Sequence, residues 1–444
     1  MSYTGHSERR PSSLAGQVWN PGQHPASPAL LLAMFLYAVS LVKFYVRDPL
    51  IARTGPQGPI ELALLILAAL TLLAAFRRRY WKLLLTPSAK GFVAFGAAAT
   101  VSSIFSYFPL LSFVKGLSFI LVCGFAVVAS SAFRSFQVIK CYYYSIIIIL
   151  VTGLIVKLAG GGPLMAVDDY SGRARFTMFA WHPGTLADLC ALTLLSSFLL
   201  SKRPPLYCQL FLFAINIAAA SRASSALLVV ILLSIWFASI RVTPRFLFLC
   251  CCLGSLLTLA MLVVVHKHYQ STDLVSIGQG LYGDKLEEDL TSLSGRREVW
   301  NAAKPLISHS LLLGYGLDGA RDVLVNETSW AAGNTHNSLL DLILAGGFPA
   351  TFLFLLGWAA AARRAWQTRG FLRLGALGTY AYIAGFGIVS PNLTYLQGLA
   401  SFLILTIDAM VCQEFSLSNR VSWRHFLWIR QHASGRHAMA YTPD

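Results

Sequence analysis

Residues 331–347 read AAGNTHNSLLDLILAGG, with one histidine, His336, among polar residues directly before an apolar run that begins near Ser338. Apolar runs of about 20 residues match the hydrocarbon thickness of a bilayer. Such runs recur along this chain, since 56% of its 444 residues are hydrophobic and only 12% are charged. This composition excludes an ordinary soluble globular protein and predicts an integral membrane protein.

The fold class predicted from these runs is all-α: a polytopic membrane protein of about twelve transmembrane helices, with one long loop that contains short helices. The predicted helices cover residues 28–46, 59–76, 91–108, 110–130, 141–159, 184–200, 205–220, 223–240, 246–266, 338–361, 371–391 and 396–412. The chain then divides into a polar tail over 1–27, helices 1–9 over 28–266, a loop over 267–336, helices 10–12 over 337–412 and a basic tail over 413–444. The first tail has no apolar segment, so we expect no cleaved signal peptide.

The basic residues predict the orientation of the chain. Lys and Arg gather in alternate connections, such as RRRYWK at 77–82 and RRAWQTRGFLR at 363–373. Because short basic connections stay in the cytoplasm, we expect both termini to be cytoplasmic and the loops over 160–183 and 267–336 to be periplasmic. The net charge of +16 is then spread over loops instead of forming one patch. We therefore expect contact with membrane lipids and no nucleic-acid partner.

The cysteines and the remaining charged residues give no sign of a metal or cofactor site. All eight cysteines lie in or at the ends of apolar runs, and the acidic run DKLEEDL at 284–290 is interpreted as solvated. We expect no disulfide framework, no metal and no cofactor. Lys43, Lys115 and Lys157 lie within or near span ends, where they can extend toward the interface, and are interpreted as structural.

Arg222 stands in a short turn, SR at 221–222, between two apolar runs on the predicted outer side. No carboxylate is near it in the sequence. A guanidinium there offers a planar fork that suits phosphate, although a structural role explains the residue equally well at this point.

The long loop carries the stretch SGRREVWNAAKPLISHSLLLGYG at 294–316. Ser294 can cap a helix that starts at Gly295, on which Arg296 and Trp300 share one face. We expect the apolar residues Val299, Ala303 and Ile307 to face the membrane, Pro305 to disturb the later turns and GYG to end the helix. Two arginines on such a helix are explained equally well by a solvated surface.

Taken together, these stretches resemble a known family. Gly295-Arg296 with Trp300, the later LLGYGL at 312–317 and THNSLLDLILAGGFPA at 335–350 resemble the motifs of the O-antigen ligase and O-antigen polymerase superfamily of bacterial membrane glycosyltransferases. The resemblance covers about residues 170–365 and includes the SR turn. RFTMFAWHPGTLA at 175–187 is similar to a further family segment, but Gly184 stands where asparagine is common.

The resemblance implies transfer of a glycan from undecaprenyl diphosphate to an acceptor hydroxyl on the periplasmic face of the bacterial inner membrane. In a ligase the acceptor is the lipid A core, as in lipopolysaccharide biosynthesis. In a polymerase it is another carrier-linked repeat of O-antigen or exopolysaccharide, and protein O-glycosylation is a third option. The single dominant outer loop favours the ligase-like interpretation. Outside the superfamily, a polysaccharide transporter or flippase and a structural scaffold of an envelope complex remain as alternatives.

The same resemblance assigns roles to particular residues. It implies that His336 is the catalytic base and that Arg222, Arg296 and Arg297 bind the diphosphate. Further substrate-binding candidates are Arg175, His182, Trp300 and Asn337. A helix start near Ser338 disfavours an imidazolium, so we expect a neutral His336 ring that can accept a proton. The alternative is that His336 caps the helix, a role that Asn334 or Asn337 would serve equally well.

Overall fold

The computed structural model describes residues 33–37, 86–133, 135–160, 165–167, 174–178, 183–200, 204–219, 221–239, 296–321, 324–325, 334–390, 393 and 398–414. The predicted helices over 59–76 and 246–266 lie outside these residues, as do the acidic run at 284–290 and the tail over 1–27. Each predicted helix that falls largely within the described ranges is found as a helix, with ends that shift by a few residues.

The first described helices are α1 (Pro87–Ser102), α2 (Pro109–Ala132), α3 (Ser135–Ala159), α4 (Pro183–Ser196), α5 (Leu206–Ala218) and α6 (Arg222–Ser239). They are followed by α7 (Arg296–His309), α8 (Ser338–Gln367), α9 (Gly370–Gly387) and a last helix, α10, over 399–414. Short 3-10 turns at Ser103–Phe105 and Ser197–Leu199 extend α1 and α4. Two strands, β1 (Met165–Val167) and β2 (Ala174–Phe176), pair antiparallel. The described chain is thus mostly helical, and the all-α prediction missed one short hairpin.

Four helices in the described ranges are long and apolar enough to cross a membrane: Pro87–Phe105, Pro109–Ser131, Ser135–Ala159 and Ser338–Gln367. Three shorter apolar helices accompany them, at Pro183–Leu199, Leu206–Ala218 and Ala223–Ser239. The predicted count of about twelve spans is not confirmed. The apolar helices nevertheless agree with a membrane protein.

Among the described helices, α1 and α8 make the most extensive contact, and they run side by side because glycines meet there. A Cβ added to Gly91 would lie only 2.9 Å from the Gly357 Cα. Small residues allow this approach, which supplies dispersion contacts where no hydrophobic effect drives helices together. Next to the glycines, Phe92 and Phe95 pack on Phe354, with ring centroids 4.3 and 5.3 Å apart.

One end of the bundle is closed by a half-buried ion pair. The Arg364 Nε and Nη2 atoms, near the end of α8, each donate to an Asp408 carboxylate oxygen in α10 at 2.7 Å. The same guanidinium donates to the Ser88 hydroxyl at the start of α1. Arg364 was interpreted only as part of a basic connection, but its fork joins three helices at once.

At the other end, α8 is interrupted at Gly347, whose φ is 74°. Across the break the Leu344 and Ala345 carbonyls accept hydrogen bonds from the Tyr315 and Gly316 N–H groups, at 2.6 and 2.9 Å. In a regular helix the Ala345 carbonyl would accept from residue 349, but Pro349 has no N–H. The backbone after α7 thus takes the place of the missing helical donors.

The exchange is reciprocal. The Phe348 N–H, which the break separates from its helical acceptor, donates to the Leu311 carbonyl at 2.7 Å. We call residues 311–316 the insert segment. The insert segment and the break supply each other's missing backbone hydrogen bonds. Neither can move without leaving N–H or carbonyl groups unpaired in an apolar setting.

The break predicts different costs for two glycine substitutions. Gly347→Ala places a Cβ 2.7 Å from the Leu313 backbone nitrogen, and the residue must also hold a φ of 74°. Gly370→Ala is the matched control, because its φ is 63° and nothing lies within 4 Å of the added Cβ. The left-handed backbone alone costs about 1–2 kcal/mol. We expect both variants to unfold at lower temperature in detergent, and Gly347→Ala to lose clearly more. Equal losses would show that the insert segment is not tightly packed on the break.

Candidate active site

The helix that carries the two arginines rests on protein rather than on the membrane. The buried face of α7 consists of Val299, Ala303 and Leu306. It packs against Ala320, Leu324 and Leu344. The prediction that this face points to the membrane was therefore wrong, since the following residues of the loop and α8 cover it.

The end of α7 agrees only in part with the prediction. The helix continues through the exposed Pro305 to His309, so the expected disturbance does not shorten it. Beyond the helix, Gly314 and Gly316 have φ values of 70° and 80°, as the GYG pattern predicted. These two left-handed residues lie within the insert segment and allow its turn.

The α1–α2 connection and the first turns of α2 contact the same region. Lys115 forms an ion pair with Asp318, whose φ of 56° is unusual for a residue other than glycine. The Tyr107 N–H donates to the Gly319 carbonyl at 3.3 Å, and the Tyr107 and Tyr315 rings stack with centroids 6.0 Å apart. Lys115 was expected to extend toward the interface, but it pairs with the Asp318 carboxylate. Its role is structural in either case.

The Trp300 side chain joins α7 to the segment directly before α8. The Trp300 Nε1–H donates to the Thr335 carbonyl at 2.9 Å. Arg296 lies one helical turn before Trp300 and is half-buried, whereas Arg297 is exposed. Since His336 directly follows Thr335, the structure brings the arginine helix and the predicted base to one place.

His336 itself has a left-handed backbone, with φ at 51°. Its N–H donates to the Asn334 Oδ1 at 3.0 Å, and the residue is partly exposed. Left-handed conformations are uncommon outside glycine and cost free energy that the surrounding contacts must supply. Strain of this kind often marks a functional position.

The helix cap is Asn337, not His336. The Asn337 Oδ1 accepts from the Leu339 and Leu340 N–H groups at 3.0 and 3.2 Å, while Nδ2 donates to the Ile388 carbonyl at 3.2 Å. The alternative in which His336 caps the helix is therefore wrong. The predicted substrate contact of Asn337 stays a prediction, beside a structural role that already engages its amide.

Two further residues at this helix start were not singled out from the sequence. The Asp341 Oδ1 accepts from the Thr335 N–H at 2.9 Å and from the Thr335 hydroxyl at 2.8 Å. The Ser338 hydroxyl donates to the Ser390 carbonyl at 2.8 Å and accepts from the Leu393 N–H at 3.2 Å. A carboxyl inside an otherwise apolar run was the available signal for Asp341.

Arg222 is the first residue of α6, one residue before the predicted helix start at 223, and α5 ends at Ala218. The Arg222 side chain lies outside the described part of the structure. A buried polar network fixes the turn beneath it: Asn216 Nδ2 donates to the Ala187 carbonyl at 2.8 Å and to Ser224 Oγ at 2.9 Å. Ser224 in turn shares a hydrogen bond of 2.7 Å with the Tyr382 hydroxyl on α9. The start of α6 is thus held by α4, α5 and α9.

The two weaker candidates are less defined. Arg175 is the central residue of β2, opposite Ala166. Its side chain lies outside the described part of the structure. His182 lies outside the described residues, directly before α4. Lys157 was expected to extend toward the interface, but its Nζ donates to the Thr177 carbonyl at 2.5 Å and ties α3 to the chain after β2.

Comparison with known families gives a match that covers much of this region. Residues 209–355 match the family model for O-antigen ligase. The predicted resemblance to the O-antigen ligase superfamily is confirmed. No curated protein matches the chain.

The O-antigen ligase match runs from α5 into α8 and therefore contains Arg222, Arg296, Arg297, Trp300, His336 and Asn337. Arg175 and His182 precede it. The match supports a ligase- or polymerase-like membrane protein.

Proposed function

We propose that this protein is an O-antigen ligase that transfers a glycan from undecaprenyl diphosphate to a hydroxyl of the lipid A core, on the periplasmic face of the inner membrane. The observation that carries the proposal is the Trp300 to Thr335 hydrogen bond, which holds the arginine helix against the His336 turn inside the matched region. Both termini lie in the cytoplasm in this proposal, following the distribution of basic residues.

The arginines are proposed to stabilise the charge on the leaving group. As the glycosidic bond to the carrier breaks, negative charge develops on the diphosphate, and a guanidinium fork can donate two parallel hydrogen bonds to it. Arg296 is half-buried on α7, where a fixed position makes such bonds stronger than in water. Arg222 at the start of α6 is the second donor, and the exposed Arg297 is a peripheral one.

His336 is proposed to deprotonate the acceptor hydroxyl. The attacking hydroxyl must lose its proton as it bonds to the anomeric carbon, and a neutral imidazole accepts that proton. His336 directly precedes Asn337, the N-cap of α8, so the helix start disfavours the imidazolium. One ring nitrogen takes the hydroxyl proton and passes it to the departing diphosphate or to water once the sugar has moved, so the neutral base is regenerated.

Two substitutions at His336 test the base assignment. His336→Asn removes the base, but asparagine adopts left-handed backbone more readily than most residues, so the turn is preserved. We expect both His336→Asn and His336→Ala to lose about 100-fold to 10,000-fold in transfer rate. The parent should also lose activity on acidification, because imidazolium cannot accept the proton. Transfer is measured with purified enzyme, carrier-linked glycan and lipid A core. A near-parental rate for His336→Asn would remove His336 from the chemistry.

Lysine substitutions test the arginines. Arg296→Lys and Arg222→Lys keep the charge but lose the fork, so each should cost about 2–4 kcal/mol of transition-state stabilisation. Lys304→Ala is the control, because Lys304 is an exposed cation on the same helix α7. We expect the control to transfer glycan at the parental rate. If Arg296→Lys and Arg222→Lys match that control in correctly inserted protein, the diphosphate assignment fails.

A further inference from the structure

A continuous set of hydrogen bonds links α7 to the turn before α8, and links that turn to the first turn of α8. Trp300 donates to the Thr335 carbonyl at 2.9 Å, and the Thr335 N–H donates to Asp341 Oδ1 at 2.9 Å. The Thr335 hydroxyl has two acceptors at 2.8 Å, Asp341 Oδ1 and the Asn337 carbonyl, which share its one proton. Thr335 is fully buried. Every polar group of the residue before His336 is therefore engaged.

The residue after His336 is fixed as well. The Asn337 side chain caps α8, and its N–H donates to the Thr335 hydroxyl oxygen at 3.2 Å. His336 is thus held in its left-handed conformation, with φ at 51°, by anchors on both sides. Without such anchors an ordinary L-residue returns to the extended or right-handed region, which is lower in free energy.

Among these anchors Asp341 has a special place. It lies in the first turn of α8, on a rigid element, and its Oδ1 atom lies within hydrogen-bond distance of both Thr335 donors. The residue is partly exposed, but its Oδ2 atom is shielded from solvent. A carboxylate at a helix start is also favoured by the helix dipole. This arrangement sets where the Thr335 peptide points, and with it the direction in which the His336 side chain leaves the backbone.

We infer that Asp341 is a positioning residue for His336: it holds the Thr335 peptide and thereby the left-handed turn that aims the imidazole at the acceptor hydroxyl. This inference rests on the proposed function, because it assumes that His336 is the base. Asp341 acts through Thr335 and does not contact the reacting atoms. A displaced base slows the reaction more than it weakens substrate binding.

Substitution of Asp341 by alanine and by asparagine separates these effects. Asp341→Ala removes the acceptor of the Thr335 N–H and leaves the Thr335 hydroxyl with the Asn337 carbonyl, so kcat should fall about 10-fold to 100-fold while the donor KM changes little. Asp341→Asn keeps an amide oxygen that accepts the same two bonds, so it should restore most of kcat. Thr351→Ala is the control, because it deletes another buried hydroxyl bond in α8, to the Gly347 carbonyl at 2.8 Å, away from the turn. Equal kcat losses for Asp341→Ala and Thr351→Ala, or no rescue by Asp341→Asn, would overturn the inference.

The His336→Ala background distinguishes this inference from the proposed function. Asp341→Ala should cause no further loss of transfer when His336 is already alanine, since there is no ring left to aim. A further loss would show that Asp341 acts on the substrate directly and would overturn the positioning role. If His336→Ala alone transfers at the parental rate, the proposed function fails. If His336→Ala is inactive and Asp341→Ala is fully active, only the positioning role fails.

Hydrogen exchange gives a readout that does not depend on activity. Backbone amides over residues 334–340 should exchange faster in Asp341→Ala than in the parent or in Asp341→Asn, while those over 350–365 stay unchanged. Unchanged exchange over 334–340 would contradict the inference. If Asp341→Ala does not fold, Thr335→Val replaces it, because valine removes the hydroxyl bond and keeps the N–H. That variant should show a smaller loss of kcat with the same exchange pattern, and a parental kcat and exchange pattern would overturn the inference.

Discussion

The structure depends on one constraint: a membrane helix that breaks must find new partners for its backbone. At Gly347 the α8 helix loses the regular bonds of Leu344, Ala345 and Phe348, and Pro349 brings no donor of its own. In an apolar environment each unpaired group costs several kcal/mol. The insert segment, residues 311–316, supplies two donors and one acceptor at the break. A loop that would otherwise be loosely attached is thereby fixed to the bundle.

The position of the candidate site follows from that attachment. Because the insert segment directly follows α7, fixing it to α8 also fixes α7, whose buried face packs on Leu344. Trp300 can then reach the Thr335 carbonyl, and the arginine helix lies beside His336. The opposite end of the bundle is closed separately, by Arg364 and Asp408. The two ends are thus built differently: one is an ion pair that holds helices together, and the other is a set of backbone bonds that holds the segment leading to the candidate site.

Much of the fold could be predicted from the sequence, because apolar runs and turn residues are local signals. The short turn before Arg222, the start of α7 and the left-handed glycines after it all follow from residues close in the chain. The break in α8 was not predicted, although Gly346, Gly347 and Pro349 are present within the apolar run. Those residues permit a break, but only a distant segment that satisfies the freed backbone makes it stable. The same distance along the chain explains why the Lys115 to Asp318 pair was missed.

The candidate site, too, could be predicted only in part from the sequence. His336, Arg296 and Trp300 were singled out by residue type and order, and the structure brings them together. The identity of the cap, the left-handed backbone of His336 and the part played by Asp341 depend on which atoms meet across a turn. Several equivalent polar residues stand there, and sequence alone cannot choose among Asn334, His336 and Asn337. The arrangement therefore adds what the pattern lacked, a physical reason for the direction of the histidine.

The central claim is that this site couples release of a lipid diphosphate to transfer of a glycan. The most direct measurement uses purified protein in proteoliposomes with a carrier-linked glycan and lipid A core as acceptor. Phosphorus NMR follows the released carrier diphosphate, and mass spectrometry follows the acceptor. The account predicts equal amounts of freed diphosphate and glycosylated acceptor, formed at the same rate. Movement of carrier-linked glycan across the bilayer with no diphosphate released and no acceptor modified would contradict it.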